Sequence, residues 1–122
     1  MEAILAYINK SLKTAGINYE LYEWKKKVVY PYWVGDYSET PSGNEDGGRV
    51  ATFTLDGFTR GQYLELERDR QKIEEVFTHN TSILDDLSGV DVSYSGSFIV
   101  PTGDAELKRI QINLTIKQWR VI

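Results

Sequence analysis

The chain has 122 residues, of which 41% are hydrophobic and 26% are charged, and this composition fits one folded domain over residues 1–122 with a single core. Its formal net charge of −4 is not that of a protein that binds nucleic acid through overall charge. The absence of cysteine excludes disulfide bonds, thiolate metal sites and thiol catalysis.

Targeting signals are also missing from the sequence. No segment has the run of about 18 apolar residues that a membrane span needs. The first residues, MEAILAYINK, lack the basic start of a secretory signal. We therefore expect a chain that folds in the cytoplasm and has no membrane partner.

The first predicted element is a helix over residues 2–15. Its apolar residues recur at the spacing of one helical face, and Gly16 follows where a helix stop is expected. These apolar residues are Ile4, Leu5, Ile8, Leu12 and Ala15. One side of this helix should therefore be buried.

An aromatic stretch, NYELYEWKKKVVYPYWVGDY, follows and is typical of strands. Alternation along it places Tyr30, Tyr32 and Val34 on one face, with Trp33 and Tyr37 on the other. The next residues, 38–48, read SETPSGNEDGG. Their polar, glycine-rich composition predicts a long mobile loop.

A second alternating strand and a second helix come next. Residues 49–58 place Ala51, Phe53 and Leu55 on one face. A helix is predicted from about residue 60 to 78, with a capping box formed by Thr59 and Gln62 and a hydrophobic staple between Phe58 and Tyr63. Its predicted buried residues are Tyr63, Leu66, Ile73, Val76 and Phe77.

Residues 78–91 show no clear period and predict a loop, with a short helical turn around residues 83–87. Two strands follow, roughly at 92–100 and 106–120, joined by a tight turn at 101–104. In the last strand Ile110 to Ile116 alternate apolar and polar, yet Trp119 falls on the polar face. Either a β-bulge shifts the alternation after Ile116, or Trp119 contacts another chain.

These elements predict the fold class α+β. The order is α-β-β-β-α-β-β. Adjacent strands without a helix between them indicate a mainly antiparallel sheet, with both helices packed on one of its faces.

Catalytic signals are weak in this sequence. His79 is the single histidine and follows the second helix, where a helix-end position explains it. Asp104 and Glu106 could share a face as glycosidase carboxylates do, but no apolar pocket is evident around them. We expect no enzyme, no cofactor and no metal site.

Two features suggest binding instead. Lys25, Lys26 and Lys27 lie beside Trp24 and Tyr30, a pattern that suits nucleic-acid binding or a solvated turn. Aromatic residues also occur on both faces of the predicted strands, which is more than one face of a small sheet can bury. Tyr and Trp on an outer face are typical of protein–protein interfaces.

Three stretches of the sequence are YPYWVGDYSE, ATFTLDGFTRGQYLELE and IVPTGDAELKRIQINLTIKQW. Together they resemble small tail proteins of long-tailed, non-contractile phages and prophages. The family is that of the tail terminators, also called tail completion or tail-to-head joining proteins. The resemblance covers residues 20 to 119. Its most family-like residues are Tyr30, Tyr32, Gly35, Tyr37, Thr54, Gly57, Phe58, Arg60, Gly61, Pro101, Gly103, Asp104, Ala105, Glu106 and Lys108.

The resemblance implies a lambda-type tail-terminator fold and a virion protein without an active site, small-molecule substrate or cofactor. Such proteins form a hexameric ring on the head-proximal end of the tail tube, stop tube growth and offer a surface to the head connector. The implied partners are copies of itself, the tail tube protein and the head connector or head-closure protein. A connector component or a minor tail protein is the alternative within the virion.

Combining the resemblance with the outer aromatic residues gives a set of candidate interface positions. The set is Tyr30, Tyr32, Trp33, Tyr37, Arg60, Lys108 and Trp119. A ring of identical copies needs two different patches that mate, and the aromatic strand and Trp119 are candidates for them.

Overall fold

The computed structural model describes residues 2–24, 27–39, 49–78, 80–83 and 88–120. In chain order its elements are α1 (Glu2–Thr14), β1 (Tyr19–Leu21), β2 (Tyr32–Glu39), β3 (Arg49–Thr59), α2 (Tyr63–Phe77), β4 (Asn80–Ile83), β5 (Ser88–Ile99) and β6 (Lys108–Arg120). Ser38 and Glu39, which we predicted in the loop, belong to β2. The rest of that predicted loop, residues 40–48, lies outside the described residues, as does His79.

The strands form one six-stranded sheet in the order β1-β2-β3-β6-β5-β4. Every neighbouring pair is antiparallel except β1 and β2, which are parallel. The predicted α+β class with a mainly antiparallel sheet is confirmed. The segment 78–91, predicted as a loop, instead contains β4 and the start of β5, so the element order gains one strand.

Both helices cover the same face of the sheet, and the core lies between the helices and this face. Alternate residues of β3 and β6 point into this core because successive side chains of a strand point to opposite faces. The buried positions of these two strands are Ala51, Phe53, Leu55, Ile110, Ile112, Leu114 and Ile116. From the helices, Ile4, Ile8, Leu12, Leu66, Ile73 and Phe77 complete the layer.

α1 ends in a Schellman motif. Gly16 has a φ of 81°, a left-handed conformation that glycine adopts without a steric penalty. The N–H of Ile17 donates to the carbonyl of Leu12 at 3.0 Å, and the N–H of Gly16 donates to that of Lys13 at 3.0 Å. The predicted helix stop at Gly16 is confirmed.

α2 begins three residues later than predicted. Thr59 remains in β3 and pairs with Lys108, so the capping box of Thr59 with Gln62 is wrong. Instead Gln62 is the N-cap, and its backbone N–H donates to Oε1 of Glu65 at 3.1 Å. The predicted staple is also wrong, because Phe58 points to the face away from the helices and Tyr63 is 41% exposed.

α1 has 13 residues and α2 has 15. Neither reaches the roughly 20 apolar residues that cross a bilayer. Among the described residues, no helix is a candidate membrane span.

Candidate interaction surface

The face of the sheet that the helices do not cover, which we call the open face, is a candidate interaction surface. Its centre is polar, because the outward positions of β3 and β6 carry polar side chains. These include Thr52, Thr54, Gln111, Asn113 and Thr115. Thr54 Oγ1 donates to Asn113 Oδ1 at 3.4 Å across the two strands. No helix of the described chain packs on this face.

At one end of the open face, four aromatic side chains form a cluster that we call the aromatic corner: Trp24, Tyr30, Tyr32 and Phe58. Tyr32 and Phe58 are paired on β2 and β3, and their rings stack with centroids 5.2 Å apart. The rings of Trp24 and Tyr30 lie 4.9 Å and 5.6 Å from Tyr32. Partial burial raises the pKa of the Tyr32 hydroxyl. The corner is therefore a continuous aromatic surface, part of it exposed.

Two arginines border the aromatic corner, and both are paired with carboxylates. Arg109 lies over the ring of Phe58 at 5.6 Å and donates to Oδ1 of Asp56 at 2.9 Å. Arg60 donates to Tyr30 Oη at 3.3 Å and forms an exposed ion pair with Asp104 at 3.2 Å. Each arginine thus contacts one side chain of the corner, Arg60 that of Tyr30 and Arg109 that of Phe58. The carboxylates largely offset the charges of both arginines.

Trp119 lies at the opposite end of the open face. β6 pairs with β5 without a bulge on its own side as far as Arg120, and the register shift lies in β5 between Tyr94 and Gly96. The bulge that could have turned Trp119 inward is therefore excluded. Its ring covers Gly89 on the neighbouring strand, yet Trp119 remains 39% exposed. Ile83, in the same row on β4, is 64% exposed.

The structure corrects one predicted interface residue. Trp33 has an exposed fraction of 0%, so its side chain belongs to the core and its assignment to an interface is wrong. The physical reason is Gly57, which pairs with Trp33 on β3 and leaves room for the indole ring above it. Tyr37 also points to the helix-covered side, where it packs half-buried against the core.

The remaining predicted residues group at one end of the sheet. Tyr30, Tyr32 and Arg60 meet in the aromatic corner. Lys108 lies at the same end but on the helix side, with its Nζ 5.8 Å from the ring centroid of Tyr63. The structure therefore joins four predicted positions at one end, leaves Trp119 at the other, and places Trp33 and Tyr37 elsewhere.

A groove that the sequence did not reveal lies between the start of α2 and the end of β5. Its cavity volume is about 690 Å³, and its walls are mainly apolar: Tyr63, Leu64, Phe98, Ile99 and Ile110, with Glu67, Arg70 and Ser97 at the margins. We call it the β5–α2 groove. Phe98 and Ile99 were visible in the sequence as large apolar residues at a strand end. Their meeting with Leu64, however, depends on the tertiary fold.

The structure describes some of the residues on which the catalytic and nucleic-acid alternatives depend. Asp104 and Glu106 lie exposed on the β5–β6 hairpin. The backbone N–H of Glu106, followed by Arg60, lowers the pKa of Asp104, whereas a general acid needs a raised one. Lys27 is exposed, while Lys25 and Lys26 lie outside the described residues. Within the described ranges, no three His, Cys, Asp or Glu side chains gather as metal ligands would.

Comparison with models of protein families gives no match to this chain, and comparison with curated proteins gives no similar sequence.

Proposed function

We propose that this protein is a virion structural protein that caps the head-proximal end of a phage tail tube, stops tube polymerisation and mediates joining to the head connector. In this proposal it acts as a ring of identical copies, a hexamer, and uses no cofactor and no small-molecule substrate. The three sequence stretches that resemble tail terminators support it. The structural observation that carries it is that the open face has exposed aromatic surface at both of its ends.

The spacing of these two ends suits two different partners. β6 runs from Lys108 near the aromatic corner to Trp119, and at about 3.3 Å per residue these positions are about 36 Å apart. Aromatic side chains that stay exposed in a folded domain are typical of binding surfaces. Two such surfaces at opposite ends of one rigid sheet can bind one partner below and another above.

A cap works by occupying a growth surface. One end of the sheet would bind the last ring of the tube and so occupy the surface to which the next tube subunit would bind. The other end would then present a new surface to the head connector. No bond is made or broken, so the specificity of the cap depends on shape and on the few aromatic contacts at each end.

The proposal is tested in a phage that encodes this chain by deleting its gene and imaging the tails by electron microscopy. We expect overlong, variable tubes without attached heads, and complementation should restore a uniform length. Tails of normal length would contradict the capping role. Full heads that leak DNA beside tails of normal length would instead indicate a head-closure or connector component.

A further inference from the structure

Exposed apolar surface also occurs at the two lateral edges of the sheet. One edge carries the β5–α2 groove, where Leu64 is 52% and Ile99 60% exposed. β4 pairs with β5 only as far as Val92. Among the described residues, the outer edge of β5 beyond this point therefore has no neighbouring strand. An apolar groove beside an unpaired strand edge is a suitable acceptor for an apolar segment.

The opposite edge carries such a segment. Val28 and Val29 precede the cis Tyr30–Pro31 bond and are 43% and 62% exposed. The carbonyl of Val29 accepts a hydrogen bond of 3.0 Å from Nδ2 of Asn18, which holds the segment beside the start of β2. These two adjacent and exposed valines form a small apolar segment, which we call the knob.

The knob and the groove lie at the same height along the strands. Tyr32 at the start of β2 pairs with Phe58, Phe58 pairs with Arg109, and the N–H of Val100 donates to the carbonyl of Arg109 at 3.0 Å. This row crosses the sheet from the knob to the groove over three strand spacings, about 14 Å. The segment before β2 and the groove beside β5 therefore lie at about one level along the strands, on opposite sides of β3 and β6.

Equal height matters because a closed ring is generated by rotation alone. If the strands run along the ring axis, each copy must contact the next without a rise, so mating patches must lie at one level. The knob and the groove meet this condition. The aromatic corner and Trp119, about 36 Å apart along the strands, do not, and they suit the partners above and below the ring.

Charge also favours this pairing. Lys27 is exposed immediately before the knob, and two further lysines precede it in the sequence. The margin of the groove carries Glu67 and Arg70. Arg70 pairs with both Glu67 and Glu74, so this group has one more carboxylate than cations. Asp104, on the hairpin that adjoins Tyr63, is paired with Arg60 and adds no net charge. The basic segment would therefore meet a small excess of negative charge at the groove.

We propose that Val28 and Val29 of one copy occupy the β5–α2 groove of the next copy, and that this contact, repeated around the axis, closes the ring. The inference rests on the proposed ring and names the surfaces that form it. The proposed contact is heterologous, because each copy contributes its knob to one neighbour and its groove to the other.

The cysteine-free chain allows a direct test with Val29→Cys in the knob and Ser97→Cys at the groove. Both substitutions preserve size. After mixing the two single variants at high concentration with a short bismaleimide, we expect a cross-linked dimer that neither variant forms alone. The double variant should give a ladder of covalent oligomers that ends at the closed ring. Thr52→Cys, exposed in the middle of the open face, is the matched control and should not cross-link with either.

Three results would overturn the inference. Ser97→Cys cross-linking to itself as well as in the mixture would mean that two grooves face each other. Oligomers detected by light scattering without a cross-link between positions 29 and 97 would mean that the ring forms through a different contact. The proposed ring itself would then still stand. Monomers at every concentration, with no cross-link, would reject the contact. The capping function is judged separately, by tail length.

Discussion

Trp33 donates its indole N–H to Oδ2 of Asp69 at 2.9 Å, which makes a polar contact between the sheet and α2 inside an apolar layer. Asp69 is half-buried, and burial raises the pKa of its carboxyl group above the ordinary value, although Trp33 and Lys72 act in the opposite direction. A raised pKa in the folded state means that the stabilisation is complete at low pH and declines as the pH rises through that pKa.

We therefore expect Asp69→Asn to increase the free energy of unfolding at neutral pH, because an amide keeps an acceptor for Trp33 without a buried charge. The gain should disappear at about pH 3, below the ordinary pKa of an aspartate. Asp69→Ala should cost about 1–3 kcal/mol, because it leaves the indole N–H unsatisfied. Urea unfolding at both pH values measures this, and a less stable Asp69→Asn at neutral pH would show that the charge itself stabilises the fold.

Two pairs of neighbouring strands bring a glycine under a tryptophan ring. Gly57 of β3 lies under Trp33 of β2, and Gly89 of β5 lies under Trp119 of β6. A Cβ atom at Gly57 would come within 2.6 Å of the Trp33 ring, and one at Gly89 within 2.3 Å of the Trp119 ring. The two contacts are similar locally, but the first ring is buried and the second is partly in water.

This difference predicts unequal effects of the same substitution. Gly57→Ala should destabilise the domain by about 1–3 kcal/mol or more, since Trp33 has no space into which it can move. Gly89→Ala should cost about 1 kcal/mol or less, because Trp119 can rotate toward solvent. Thermal or denaturant unfolding of both variants gives the comparison. Equal losses would mean that Trp119 is held as rigidly as the core.

The whole molecule has two functional directions in our interpretation. In the proposed function, the two ends of the open face bind the tube and the head connector, and in the further inference the lateral edges contact neighbouring copies. Stability depends on a third region, the layer between the sheet and the helices. Substitutions in these regions should therefore separate folding from assembly.

Leu114→Ala, at a fully buried position of β6, should lower the free energy of unfolding by about 2–5 kcal/mol because it leaves a cavity. Trp119→Ala should cost less, about 1–2 kcal/mol, since part of its ring is already in water. Tail-length measurements in complemented phages should nevertheless show the greater defect for Trp119→Ala. If only Leu114→Ala, the less stable variant, gives overlong tails, Trp119 has no role beyond the fold.

Much of the fold was predictable because burial repeats with the period of each element. Alternation identified β3 and β6 and their core faces, and Gly16 marked the end of α1. β4 was missed because a short strand with polar side chains is held by backbone pairing, which leaves no hydrophobic pattern. Trp33 was misassigned because its burial depends on Gly57, a residue on another strand whose register the sequence does not show.

The candidate interaction surfaces were likewise predictable only where their signal is local in the sequence. Trp119 could be placed on the outer face because an unbroken alternation is a local property. Phe58 carries the same signal, since it shares its parity with Thr52 and Thr54, but the helix-capping pattern around it was the stronger local cue. The β5–α2 groove could not be predicted, because its walls come from two segments, 63–70 and 97–110, that are distant in the sequence.

The position of β6 in the sheet has a consequence for synthesis. β6 lies between β3 and β5 in the sheet, and it follows both of them in the chain. Until the ribosome has released it, the N-terminal strands and the β4–β5 hairpin have no common partner, and the inner edges of β3 and β5 stay unpaired. A nascent or truncated copy that lacks β6 therefore exposes two strand edges that the folded subunit pairs, and such unpaired edges favour association with the wrong partner.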